Sequence, residues 1–278
     1  MRQLADIPRA SSRLIPTTVI AGVLTATAAS WFVLTERMAG MDTGPGGDPG
    51  TFGWFAGTWA VMTAAMMLPA SAPTVMSVVR ARRARAPATA ALFLAGYGAV
   101  WMLAGLAGYS IVEIARGLHL STLAWSSAGR YVAAASVAAA GLYQFTDAKH
   151  RWLARCTTPR FHPPSDRVAG VLLAGAEHGG CCVACCWTLM AALYALGMMS
   201  ITWMVLLTVL IVSERLLPHP ALAVFAVAAV LVVLGVAMAV SPTVVPALTI
   251  PHKARPMTMG ARGPMRRAPD RIGAGHLS

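Results

Sequence analysis

The segment Glu177-His178-Gly179-Gly180-Cys181-Cys182-Val183-Ala184-Cys185-Cys186-Trp187 gathers thiols and an imidazole inside an otherwise apolar stretch. Of the chain's five cysteines, Cys181, Cys182, Cys185 and Cys186 fall within six residues, and Cys156 stands apart. Thiolates and thioethers prefer Cu(I) and other soft ions, and imidazole suits copper and zinc. At about 100° per residue, His178, Cys182 and Cys185 fall within roughly 60° of one another if one helix runs through them. If Gly179 and Gly180 instead open a new half-helix, the thiols lie in its first turn, where the positive dipole end favours thiolate. Both geometries point to metal or redox chemistry.

Methionines extend the donor set. Met62, Met66 and Met67 lie just before Pro69 and Pro73, with Met62 and Met66 four apart on one helical face, and Met190, Met198 and Met199 follow the cysteines. Cysteine also packs as a small hydrophobe and methionine fills core gaps. The density of thiols beside the one histidine in an apolar span, rather than any single residue, carries the ligand reading. Glu177 divides between a site role and a place at the membrane interface.

Elements long enough to position these groups are written in the composition. The chain has 278 residues, 57% hydrophobic and 12% charged, whereas soluble domains carry about 25% charged residues. That excludes an ordinary cytosolic enzyme. The crowding of the thiols excludes a secreted disulfide scaffold. The net charge of +12 lies in short blocks between apolar stretches, so no nucleic-acid partner is expected; the partner is the lipid bilayer. About 20 uncharged residues are needed to cross roughly 30 Å of hydrocarbon. Spans are expected near Leu14–Leu34, Trp54–Val79, Ala88–Ile114, Tyr131–Thr146, Val168–Ser200, Ile201–Leu217 and Ala221–Val245. A cleaved signal peptide competes for the first, but its apolar run is longer than a typical signal core. Pro69 and Pro73 predict a kink in the second helix. His178-Gly179-Gly180 predicts a break in the fifth, whose 33 residues exceed one simple span.

The expected fold is therefore all-α: a polytopic transmembrane helical bundle of six or seven spans, with a kinked second helix and a broken fifth helix. A basic leader covers 1–13, the transmembrane helical domain 14–246, and a disordered basic tail 247–278. With the amino terminus in the cytoplasm, Arg80, Arg82, Arg83 and Arg85, then Lys149, Arg151, Arg155, Arg160 and Arg167, then Arg215, all fall inside, as the positive-inside rule requires. The basic tail then lies outside, against the rule, which holds the count at six or seven.

Three blocks give the chain a family likeness. They are Trp59-x-x-Met62-x-x-Ala65-Met66-Met67-x-Pro69 with Pro73; Tyr143-Gln144-x-Thr146-x-x-Lys149 with Cys156 and Pro159; and His178-Gly179-x-x-Cys182-x-x-Cys185-Cys186-Trp187-x-Leu189-Met190, continuing to Gly197-x-Met199, Glu214 and Pro218. In these the chain resembles the DUF2182 family of bacterial proteins, described as predicted metal-binding integral membrane proteins. The family pattern has a glycine where this chain has Ala184, and Cys181 is an additional thiol. The resemblance implies a multi-pass protein of a bacterial plasma membrane that binds a metal.

The leading reading is a membrane protein that binds a soft metal ion, copper before zinc, for homeostasis, delivery or passage. Cys182, Cys185 and Cys186 are the main expected ligands at the interface of the second and fifth spans, with His178 auxiliary. Cys181 and Cys156 are further thiols, the latter brought in if its basic loop folds back, and Met62, Met66 and Met67 form a relay on the facing helix. Partners are a metal-delivery protein or a membrane complex. An enzyme is the less favoured class; it would be a membrane thiol-disulfide oxidoreductase using Cys182 and Cys185. A non-catalytic accessory or scaffold subunit is the third reading. No G-x-x-x-x-G-K-[ST] loop occurs, which argues against ATP-driven transport by this chain alone.

Overall fold

Backbone N–H and C=O groups in lipid must find partners within their own segment, and a continuous helix does this without help from water. The computed structural model describes residues 7–39, 50–82, 85–117, 130–157, 168–197, 200–217 and 220–240, and these are helical with short connections. The helices are α1 (Ile7–Met38), α2 (Phe52–Ala81), α3 (Ala86–Gly117), α4 (Arg130–Tyr143), α5 (Asp147–Thr157), α6 (Val168–Gly197), α7 (Ile201–Leu216) and α8 (Pro220–Val240). No strand occurs among the described residues. Within α1, α2, α3, α6 and α8 lie five stretches long and apolar enough to cross a membrane. The six or seven spans expected from sequence are reached only by adding α4, with 14 residues, and α7, with 16. Both are shorter than the roughly 20 residues a perpendicular crossing takes.

Polarity runs inside out relative to a soluble protein. Leu103, Ile111 and Ile114 on α3 and Leu222, Phe225, Val233 and Val236 on α8 are exposed, while Gln144, Lys149, His178 and Glu214 are buried. An outer surface of large aliphatic side chains suits acyl chains, and buried ionisable groups in such a bundle face its interior.

The expected break in α6 is absent. The helix runs unbroken through His178, Gly179 and Gly180, and the glycines serve packing instead. A β-carbon on Gly175 would fall on the Phe93 carbonyl oxygen, and one on Gly96 would fall on the Leu172 carbonyl oxygen. One on Gly179 would lie 3.0 Å from the Tyr97 carbonyl oxygen. Gly175-x-x-x-Gly179 is thus a small-residue stripe that brings two helix backbones into direct contact. In consequence α3, and not α2, is the long helix laid against α6. The site expected between the second and fifth spans is corrected accordingly: α2 packs on α1, α3 and α7, and α6 packs on α3, α4, α5 and α7.

Pro69 and Pro73 stand inside α2, which continues past both, although each withholds an N–H from the carbonyl four residues earlier. Ser71 Oγ donates to the neighbouring Leu68 carbonyl at 2.9 Å. The basic loop expected around Cys156 contains a helix, α5, whose buried face is Lys149, Leu153 and Cys156, the i, i+4, i+7 spacing of one helical stripe. The leader expected at 1–13 is helical from Ile7. The tail at 247–278 lies outside the described residues.

Candidate metal centre

Continuity of α6 places His178, Cys182 and Cys185 on one face, and Cys182, Cys185 and Cys186 are fully buried. Cys181 flanks them and is half-buried. Cys156 arrives from α5, its Sγ 3.7 Å from Cys185 Sγ, and Cys185 Sγ lies 3.4 Å from Cys186 Sγ. All five cysteines are free thiols. The close sulfur contacts of Cys185 therefore run to Cys156 and Cys186, from two helices.

At the centre of these sulfurs is a cation that sequence reasoning assigned to topology. Arg215, near the end of α7, points its Nη2 at Cys182 Sγ (3.0 Å), Cys185 Sγ (3.1 Å), Cys156 Sγ (3.6 Å) and Cys186 Sγ (3.7 Å). Those are hydrogen-bond lengths, well beyond the about 2.3 Å of a thiolate–metal bond. As the side chains stand, no group of three or more His, Cys, Asp and Glu among the described residues is arranged to hold a metal ion. The donors are gathered, but around a guanidinium nitrogen.

Polar groups outside the thiols fix the cluster. Lys149 and Glu214 are 0% and 2% exposed; Lys149 Nζ donates to Glu214 Oε2 at 2.6 Å and to the Cys185 carbonyl at 3.0 Å. This single ammonium ties α5 to α7 and to the turn of α6 that carries the sulfurs. Burial works against its charge, yet the Glu214 carboxylate holds the Lys149 pKa above the ordinary lysine value. From α3, the Tyr97 hydroxyl lies 3.1 Å from Cys182 Sγ. Its ring stacks on His178 at 5.6 Å, and Phe93 meets the same imidazole at 5.8 Å. His178 Nε2 is buried without a hydrogen-bond partner among the described residues, so the imidazole has an atom to offer. Tyr143 donates from its hydroxyl to the Ala184 carbonyl at 3.0 Å, anchoring α4 on the cysteine turn. Tyr143→Phe should cost about 1 kcal/mol, read as a modest drop in the thermal unfolding midpoint of the protein in detergent.

The remaining expected residues divide. Met62, Met66 and Met67 are buried in the core cluster that also holds the cysteines and Met204 of α7, but they sit on α2, which is not packed along α6. Glu177 faces outward and is exposed. Met198 and Met199 lie outside the described residues. Arg215 and Tyr97 were missed. Arg215 is separated only by Ser213 and Glu214 from an apolar run that ends at Val212 and reads as a membrane-end charge, and Tyr97 is one aromatic in an apolar span. Lys149 figured as an inside-loop charge and in the family likeness, Glu214 only in the likeness, and their pairing follows from the fold.

The model of the family described as PpoB2, copper chaperone, matches residues 56–238. This range contains α3 to α7, and with them the sulfurs, Tyr97, Lys149 and Arg215. No curated protein and no solved structure matches the chain.

Proposed function

Because the chain belongs to the PpoB2 copper chaperone family, we propose that it is a membrane copper-handling protein that captures Cu(I) as cargo at Cys156, Cys182, Cys185 and Cys186 and passes it to an acceptor. The observation that carries this reading is the convergence of four sulfurs from α5 and α6 on one cationic atom. Surroundings that hold a guanidinium hydrogen among soft donors also suit a soft monovalent ion. Thiolate donors select Cu(I) over the harder divalent ions, and the single charge of Cu(I) reduces the electrostatic cost of a site away from water. His178, with its unpartnered Nε2, is the auxiliary donor. Cys181, half-buried beside the cluster, is a point of entry or exit. Met62, Met66 and Met67 on α2, with Met204 on α7, supply thioethers in the same core and serve transfer rather than capture. Zinc would call for four thiolate or imidazole donors in a tetrahedral array.

Anaerobic titration of the purified full chain in detergent, against a competing Cu(I) chelator, tests the assignment. The wild type should take up Cu(I) in preference to Zn(II), and the triple variant C182S/C185S/C186S should lose at least about a hundredfold in affinity, as expected when charge-assisted ligands are removed together. Unchanged affinity in that variant overturns the site.

A further inference from the structure

A buried guanidinium is stable only when its charge and N–H groups are matched. Arg215 is matched in an unusual manner. Its Nη2 faces four cysteine sulfurs at 3.0–3.7 Å, while its Nε and Nη1 are buried with no hydrogen-bond partner among the described residues. The adjacent carboxylate gives it no hydrogen bond: Glu214 Oε2 is bonded to Lys149, and Oε1 has no partner among the described residues. The hydrogen-bonding partners of this guanidinium are therefore sulfurs, and the surrounding protein leaves its other nitrogens unserved. Such a side chain is held by the cluster and by little else.

Space supplies the second half of the argument. A metal bonded to these cysteines as thiolates, their thiol protons released on binding, needs sulfurs about 2.3 Å from its centre, and the sulfurs now stand around a nitrogen at the same focus. One position cannot hold both cations. The residue has somewhere to go: it is one residue from the end of α7 and only half-buried as a whole. A long arginine stem can carry its head toward the surface.

We propose that Arg215 is a displaceable stand-in for the cargo: its guanidinium nitrogen fills the focus of the sulfur cluster while no Cu(I) is bound, and swings out when the ion enters. This rests on the reading that the cluster is the copper site. Arg215 is then a positioning residue that keeps the sulfurs gathered between loads and competes with the ion for them. Its charge and reach lower the net affinity to a level from which an acceptor can withdraw the ion.

The sign of one measurement decides the matter. A purely supportive arginine, on removal, weakens metal binding; a competitor, on removal, strengthens it. Cu(I) titration against a competing chelator is carried out on the full chain in detergent, for the wild type, R215Q and R215K. R215Q should bind about ten- to a hundredfold more tightly, the equivalent of a charge-assisted hydrogen bond no longer broken on loading. R215K, which keeps the charge but loses the fork, should fall between R215Q and the wild type, and it carries the test alone if R215Q does not fold. Metal-free R215Q should unfold at a lower temperature than the wild type and gain more on adding Cu(I). Equal or weaker binding in both variants overturns the stand-in role and leaves the copper site intact. Binding that C182S/C185S/C186S leaves unchanged overturns the copper site, and the stand-in role falls with it.

Discussion

Lys149→Met should destabilise the protein by roughly 3–5 kcal/mol, the cost of leaving one partner of a buried ion pair unmatched. The side chain lost is fully buried, and what remains is a Glu214 carboxylate with neither oxygen bonded and a Cys185 carbonyl without its second donor. Thermal or denaturant unfolding in detergent reads the loss. The double variant K149M/E214L should recover most of it, because removing both charges also removes the unpaired one. A single K149M variant as stable as the wild type would mean that the pair contributes nothing to the fold. The pH dependence follows from the raised Lys149 pKa. A proton held more tightly in the folded state gives stability that is fully present below the unfolded-state value and is lost as pH rises through the folded one. The contribution is therefore constant across neutral pH and fades only in strong alkali. Copper binding should weaken in K149M as well, since Lys149 ties α5, and with it Cys156, to the cysteine turn.

Gly175→Val should leave little folded protein. A β-carbon at Gly175 meets the backbone of α3 at Phe93, where no side chain can rotate out of the way, so the two helices must part along their whole contact. Ordinary overpacking costs about 1–3 kcal/mol, and a backbone-to-backbone collision lies at or above the top of that range. Gly180→Ala is the control. Nothing stands within 4 Å of a β-carbon there, and alanine in a helix interior is favoured over glycine by roughly 0.5–1 kcal/mol. Yield of monodisperse protein and unfolding midpoint in detergent should fall sharply for G175V and hold or rise for G180A. The same loss in both would refute the packing role of the stripe.

These two glycines show where sequence reasoning succeeded and where it stopped. The helices were legible because uncharged runs of this length have no other way to satisfy their backbones in lipid. That His178, Cys182 and Cys185 share one face was legible because they repeat at helical spacing, and that spacing held once α6 proved continuous. Gly179-Gly180 was read as a break because glycine is a poor helix former; the neighbour that rewards it, the Tyr97 backbone, lies more than seventy positions away in the chain and leaves no local mark. The same distance hid the choice of α3 over α2 as the helix beside the cysteines. Cys156 was a conditional ligand, and the spacing of Lys149, Leu153 and Cys156 carried the missing signal that its segment is an amphipathic helix. Arg215 was beyond reach. A cation at the end of an apolar run obeys the positive-inside rule wherever its side chain turns.

The sulfur cluster draws Cys156 from α5, the other thiols from α6 and the guanidinium from α7, three segments that meet only after the chain has crossed back on itself. The arrangement is consequently complete only once α7 has been made. A chain made only through α6 already carries every one of these sulfurs, with α3, α4 and α5 to pack on α6, and lacks only the guanidinium that gathers them.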